Sequence, residues 1–298
     1  MSKTILITGA NGTLAKKLIE NLSTDNDFEV CASSRNIETV TQFDNVEYVT
    51  NIDLVQTNFL SNVDVIVNCA FPREYNPDVL ANAMTFYNSL VLKAVEMNVK
   101  EIINISSQDV YGTYRENSAI ESTTVHPDNN YSLAKYACEL IGLAAVRKSE
   151  TKLTNIRLGS LIGIEYPERV INKIIKRASE TKSISIDNDK TIFGFMDVGD
   201  AVTGLLKFIR NTVSQNWSET YNFGAKSLEQ RDFKRIVELI SNCFKKKGIE
   251  IDLKINEASE ADKLCCLNSQ KFYSEINWKP EISLKESIER IFNDITQN

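Results

Sequence analysis

The sequence is poor in the residues that build metal centres and covalent staples. His126 is its single histidine, and the six cysteines (Cys31, Cys69, Cys138, Cys243, Cys265 and Cys266) form neither a C-x-x-C pair nor a cluster with that histidine. Metal catalysis therefore lacks ligands, and the thiols read as reduced core or surface groups. No apolar run reaches membrane-spanning length, and Met1-Ser2-Lys3 passes straight into Thr4-Ile5-Leu6-Ile7-Thr8 without a leader-like segment. The expectation is a cytoplasmic protein with no membrane partner. An excess of basic charge is missing too: 34 Lys and Arg against 40 Asp and Glu leave a net charge of -6. That balance opposes a nucleic-acid-binding surface but is compatible with a local basic pocket.

What is present is an ordinary globular composition, 42% hydrophobic and 25% charged over 298 residues, enough for one large domain or two lobes. In the first half, short β-branched runs alternate with longer helical patterns. This predicts parallel strands joined by crossover helices, hence a doubly wound α/β sheet. Strands are expected over 4–8, 29–33, 46–49, 63–68, 100–106 and 153–158, most of them nearly continuous apolar runs, as in a sheet covered on both faces. Helical spacing occupies 14–22, 79–97, 131–148, 169–178 and 200–209. The alternation weakens after about residue 160. A dinucleotide-type sheet domain is expected over 1–160 and a smaller C-terminal substrate lobe over 161–298, with segments near 190–225 returning to the first.

The strand ending at Thr8 runs into Gly9-Ala10-Asn11-Gly12-Thr13-Leu14-Ala15 and then a helix. A Gly-x-x-Gly-x-x-Ala turn in that setting suits a dinucleotide. Glycine lets the backbone approach a pyrophosphate, and the helix N-terminus offers free N–H groups and a positive dipole end. A glycine-rich turn without a ligand is the plain alternative. At the end of the second strand, where an acid would take a ribose 2′-hydroxyl, the chain has Ser33-Ser34-Arg35. Two hydroxyls and a guanidinium fork fit a 2′-phosphate, so NADP(H) is expected over NAD(H), with a solvated loop charge at Arg35 as the alternative.

Tyr131-Ser132-Leu133-Ala134-Lys135 places a phenol and an ammonium four residues apart on one helix face. The ammonium, with the charge of a coenzyme, is expected to lower the phenol's pKa and make Tyr131 a general acid or base. Ser107, after a strand, supplies a hydroxyl for the oxygen that gains or loses a proton. Alone, a Tyr-x-x-x-Lys helix is common surface decoration. After a glycine turn and a Ser-Ser strand end, in that order, it is hard to explain by chance.

Together these motifs resemble the extended short-chain dehydrogenase/reductase family, also called the NAD-dependent epimerase/dehydratase family. The likeness spans nearly the whole chain. It is carried by Thr8 to Gly12, Asp53-Leu54, Asn68-Cys69-Ala70, Ser106 to Gly112 and Tyr131 to Tyr136 with Glu139, and more weakly by Tyr221 to Gly224 and Trp278-Lys279-Pro280. The resemblance implies catalysis by Ser107, Tyr131 and Lys135. It implies coenzyme contacts at Gly9, Asn11, Gly12, Thr13, Leu14, Ser34, Arg35, Asp53, Leu54, Cys69 and Ala70, with Tyr131 and Lys135, and no metal. A nucleotide-diphosphate sugar is the implied substrate, and a homodimer the implied assembly.

The substrate segments depart from the family pattern. Ser160 stands where Asn is common and Phe193 where Arg is common, and no Arg-x-Gly-Asp-like run occurs near Asp262. Tyr111, Ser160 and Arg169 remain as substrate candidates, while Lys173, Lys176 and Arg177 suit a solvated helix face as well as a diphosphate. Dehydratases resembling this family place an Asp-Glu pair beside the serine or threonine, where this chain has Gln108-Asp109. The resulting expectation is an NADPH-dependent reductase of a keto group on a nucleotide-linked 4-keto-6-deoxy sugar. The alternatives are an NAD-dependent nucleotide-sugar epimerase and, from another class, a non-catalytic dinucleotide-sensing protein.

Overall fold

The computed structural model describes residues 2–113, 115, 117–188, 190–211, 219–257 and 264–297, so Asp262 lies outside the described residues. In the first half each apolar run forms a strand and each amphipathic run a helix. These are β1 (Lys3–Thr8), α1 (Thr13–Leu22), β2 (Phe28–Ser34), β3 (Val46–Thr50), α2 (Asn51–Gln56), β4 (Val65–Asn68), α3 (Pro77–Glu96), β5 (Glu101–Ser107), α4 (Asn130–Val146) and β6 (Lys152–Leu158). The later elements are shorter and more mixed: β7 (Ser160–Ile162), α5 (Val170–Thr181), β8 (Ser183–Asn188), β9 (Ile192–Asp197), α6 (Val198–Asn211), β10 (Thr220–Phe223), β11 (Gln230–Asp232), α7 (Phe233–Lys246), β12 (Asp252–Glu257), β13 (Leu264–Cys265), α8 (Gln270–Ile276) and α9 (Leu284–Gln297). No helix among the described residues is long and apolar enough to cross a membrane.

By contacts the chain divides into two units. Unit 1 is Met1–Tyr111, Val125–Leu158 and Leu205–Tyr221; unit 2 is Gly112–Thr124, Gly159–Gly204 and Asn222–Asn298. The division follows interleaved segments. The segment 112–124 goes with the second unit and 205–221 with the first.

Unit 1 is built on a seven-stranded sheet of order β10-β6-β5-β4-β1-β2-β3. The pairings β1 with β2 and β4, β2 with β3, β4 with β5, and β5 with β6 are all parallel. Consecutive residues such as Ile5, Leu6 and Ile7, or Val65, Ile66 and Val67, are fully buried, as expected where helices cover both faces. Helices α3 and α4 pack closely because Gly142 has no Cβ. One there would run into the Tyr87 hydroxyl and into the Leu153 methyl at 3.0 Å.

A polar row crosses this apolar sheet. Thr8 Oγ1 donates to Asn68 Oδ1 (2.7 Å), Asn68 Nδ2 to Asn104 Oδ1 (3.0 Å), and Asn104 Nδ2 to Asn155 Oδ1 (2.8 Å). These residues are register partners on β1, β4, β5 and β6 and are all buried. A strand slipped by one residue would bury these amides without partners, so the row selects the register as well as stabilising it. Thr8 Oγ1 also accepts from Ala70 N (3.2 Å), which ties the loop after β4 to the end of β1.

Unit 2 pairs β11, β9 and β13 in one sheet, with β7 also on β9, and β12 with β8 in a second. Its core is made by one face of each of three helices: Ile171, Ile175 and Ala178 on α5, Ile236, Ile240 and Phe244 on α7, and Leu284, Ile288 and Ile291 on α9. Phe193 belongs to this apolar cluster, stacked on Phe195 (5.5 Å between centroids) and edge-on to Phe233 (5.7 Å). A guanidinium in its place would have to desolvate, which explains the departure from Arg.

Candidate active site

The turn after β1 has the geometry that its glycines predict. Gly9 has a φ of +74°, and a Cβ there would lie 2.8 Å from the Ala70 Cα, so no larger residue fits. Gly12 is the N-cap of α1 and makes no side-chain cap, and no acid occupies the first helical turn. The free N–H groups of that turn can therefore serve an anion.

Beside this turn lies a cavity of about 720 Å³ bounded by Gly9, Asn11, Gly12, Ser34, Arg35, Cys69 and Ala70, all expected coenzyme contacts. Asn11 Nδ2 donates to Ser34 Oγ and to Thr39 Oγ1 (3.1 Å each), which braces the turn against the end of β2. Ser34 is buried and Arg35 exposed. Among the described lining residues there is no Asp or Glu, and Arg35 is the one ionised side chain.

Two expected contacts are displaced. From α2 the cavity wall takes Asn51, Ile52, Val55 and Gln56, whereas Leu54 is fully buried in the core and Asp53 accepts from Thr50 Oγ1 (2.7 Å) at the start of the helix. The reason is that the helix begins at Asn51, so each residue turns by about 100°, and the face formed by positions 51, 52, 55 and 56 meets the cavity while 53 and 54 point away from it. Thr13 and Leu14 lie in the first turn of α1 and are not among the described wall residues. Sequence reading missed the wall supplied by α3, where Val79, Asn82, Ala83, Phe86 and Ser89 share one face. Its signal was present as a 3–4-residue spacing that mixes polar and apolar side chains, unlike a pure core stripe.

At the ends of β5 and α4, Ser107, Tyr131 and Lys135 are brought together in unit 1. The Ser107 hydroxyl acts on the Tyr131 phenol in the direction that favours its ionised form. The helix is placed by a capping box, in which Asn129 accepts from Ser132 N (2.9 Å) and the Ser132 hydroxyl faces the Asn129 backbone N (3.2 Å). Lys135 Nζ is buried, donates to the Ile105 carbonyl (2.7 Å) and sits 4.3 Å from the Phe71 ring centroid. The same ring meets Tyr131 edge-on at 6.0 Å.

The protein's own groups push the Tyr131 phenol up to about 12, first by burial and then by the charge of Asp109, with Arg73 and Ser107 acting the other way; the expected lowering includes the charge of a coenzyme, which is a separate contribution. Burial lowers Lys135 to about 8. The ammonium spends its hydrogen bond on Ile105 in a dry site, so by itself the chain holds Tyr131 as a protonated phenol.

The substrate candidates divide between the units. Tyr111, in unit 1, is 2% exposed and its hydroxyl accepts from Arg157 Nη1 (2.8 Å), so the structure places it in a buried network. Ser160 lies on β7 in unit 2. Arg169 precedes α5, with its guanidinium 5.1 Å from the Tyr166 ring centroid and its Nε 3.5 Å from Glu168. Lys173, Lys176 and Arg177 are exposed along α5, and His126 is exposed in its loop.

Comparison with known proteins agrees with this geometry. Residues 5–224 match the model of the NAD dependent epimerase/dehydratase family. The chain is 24% identical over 325 residues to human dTDP-D-glucose 4,6-dehydratase, covering 100% of this chain and 91% of that protein. It is also 24% identical over 236 residues to GDP-6-deoxy-D-talose 4-dehydrogenase of Aggregatibacter actinomycetemcomitans, covering 73% of each. UDP-N-acetylglucosamine 4-epimerase from Bacillus cereus has a similar structure, with a TM-score of 0.80 at 21% identity over 98% of this chain and 96% of that one. UDP-glucuronic acid 4-epimerase from the same organism, crystallised with NAD, gives 0.82 at 19% identity over 99% and 96%. With the glycine turn, the Ser107, Tyr131 and Lys135 centre and the parallel sheet in place, the chain belongs to the NAD dependent epimerase/dehydratase family of extended short-chain dehydrogenases/reductases.

Proposed function

We propose that this chain is an NADPH-dependent reductase of a keto group on a nucleotide-diphosphate sugar. The observation that carries the coenzyme choice is the acid-free wall: a ribose 2′-hydroxyl is usually read by a carboxylate, and here Ser34 and Arg35 offer donors suited to a 2′-phosphate. When bound, the coenzyme supplies the hydride. Tyr131, held protonated, gives its proton to the keto oxygen; Ser107 hydrogen-bonds that oxygen; Lys135 and Phe71 fix the phenol's surroundings.

Two features point to the substrate class. Gln108 is neutral where dehydratases resembling this family carry an acid, and the relative acting on GDP-6-deoxy-D-talose performs net redox chemistry at C4 of a 6-deoxy sugar. A nucleotide-linked 4-keto-6-deoxy sugar is the corresponding substrate. The NAD-bound neighbours favour a second reading, an epimerase that retains NAD. For a partner, Leu92 on α3 and Leu133 and Leu140 on α4, 53%, 58% and 50% exposed, suit a second copy of the chain, which light scattering tests.

The deciding experiment titrates NADPH and NADH against the wild type and Arg35→Ala, then follows nicotinamide absorbance with a panel of 4-keto-6-deoxy nucleotide sugars. NADPH preference lost in the variant, with NADPH consumed, supports the reductase. Tightly retained NAD, with a stereoisomer formed and no net coenzyme consumption, overturns it in favour of the epimerase.

A further inference from the structure

Behind the catalytic residues, unit 1 holds an ionic network that the proposed chemistry does not use. Glu139, two helical turns after Tyr131 and one after Lys135, accepts from Ser106 Oγ at 2.5 Å. Arg157 on β6 donates to the same carboxylate through Nε (3.1 and 3.2 Å) and Nη2 (2.7 Å). Its Nη1 donates to the Tyr111 hydroxyl at 2.8 Å, and its guanidinium lies 4.8 Å from the centroid of that ring. The paired side chains are 7% and 2% exposed.

Such a pair is an inefficient way to add stability. Desolvating two charges offsets most of their attraction, and well-packed apolar residues often do as well. Its geometry does something else. It ties α4, which carries Tyr131 and Lys135, to β5 one residue before Ser107, and it ties β6 to Tyr111 at the far end of the turn holding Gln108 and Asp109. We infer that Glu139 and Arg157 are positioning residues, which fix the Ser107 turn against the Tyr131 helix and so set where Ser107 and Tyr131 stand relative to each other.

Asp109, Arg73, Tyr75 and Ser107 act on Tyr131, while Cys69, Cys138, Glu139 and Asp109 act on Lys135. A shift of the Ser107 turn against the Tyr131 helix moves Ser107 and Asp109 relative to the phenol and so changes its surroundings.

The inference rests on Tyr131 being the proton-transfer group, and its test needs no sugar. The full chain is labelled with 13C at tyrosine Cζ, Tyr131 is assigned by Tyr131→Phe, and its resonance is followed against pH with NADP+ present. In Glu139→Gln the resonance at neutral pH moves from its wild-type position. The double variant Glu139→Leu with Arg157→Met leaves no unpaired buried charge and keeps the fold, yet also moves the resonance. A resonance and titration identical to wild type in both variants, with only a lowered Tm, would show a brace with no positioning role and overturn the inference. A wrong substrate class would leave this result unchanged, so the two failures are distinguishable.

Discussion

The two units keep their buried polar groups in different ways. In unit 1 polar side chains bond to one another across strands and helices: Thr8, Asn68, Asn104 and Asn155 in one row, and Ser106, Glu139, Arg157 and Tyr111 in another. In unit 2 the buried polar side chains mostly hold backbone. Asp200 accepts from Glu281 N (3.0 Å) and Ile282 N (2.9 Å), Asn222 Nδ2 donates to the Ala119 carbonyl (2.9 Å), and Asn172 Nδ2 donates to the Gly163 carbonyl (3.1 Å). A side chain on backbone latches one loop, whereas a chain of side chains fixes the mutual placement of several elements. Only the second arrangement sets the geometry of a reactive group to within a fraction of an ångström, as proton transfer requires.

The contrast can be broken most sharply at its chemical end. Tyr131→Phe is expected to lower turnover by about 10²–10⁴-fold, with the affinity for NADPH and the Tm retained, as measured by absorbance kinetics and coenzyme titration. Loss of coenzyme binding instead would place the phenol's main contribution in the fold.

Asn104→Ala removes the middle of the amide row and orphans Asn68 and Asn155. A cost of about 1–3 kcal/mol for each orphaned partner is expected in urea unfolding. Asn104→Asp should be at least as damaging, because it places a charge in a fully dry row.

A third test compares the two ends of β5. Glu101, 2% exposed and accepting from Thr154 Oγ1 (3.2 Å), is pushed up to about 7 by burial. A carboxyl raised on folding binds its proton more tightly in the native state. It therefore costs nothing well below its unfolded pKa and lowers stability progressively as pH rises from about 4.5 to 7. Glu101→Gln should accordingly stabilise the protein by up to about 3 kcal/mol at pH 8 and leave it nearly unchanged at pH 4, as thermal unfolding at the two pH values would report.

The smallest effect is expected in unit 2. Ser287→Ala removes the hydroxyl that donates to Asp197 Oδ2 (2.7 Å), and because Asp197 keeps a second donor in Gly199 N (2.8 Å), the loss should be about 0.5–1.5 kcal/mol with NADPH affinity unchanged. A change in NADPH affinity would show that unit 2's latches also shape the coenzyme site.

Much of unit 1 was legible because its signals are local. The turn from Gly9 to Gly12, the alternation of apolar strands with amphipathic helices, and the Tyr131 to Lys135 spacing each need only a few consecutive residues to be recognised. Unit 2 was poorly legible: β7, β11 and β13 are two or three residues long, and β8 pairs with β12 across nearly 70 positions. Such pairings leave no periodic trace in sequence. At the site, the family resemblance implies coenzyme contacts at Asp53 and Leu54, and the sequence does not show that the helix starting at Asn51 turns them away from the cavity.

By itself, then, the sequence determined the doubly wound parallel sheet and the glycine turn after its first strand, since each is encoded by composition over a short window. Tertiary structure alone decided that Asn51, Ile52, Val55 and Gln56 line the cavity, that Lys135 is buried and bonded to Ile105, and that Glu139 meets Arg157 and Ser106. Those facts depend on burial and on contacts between residues 18 to 33 positions apart, and burial is a property of the packed chain that no short stretch of it carries.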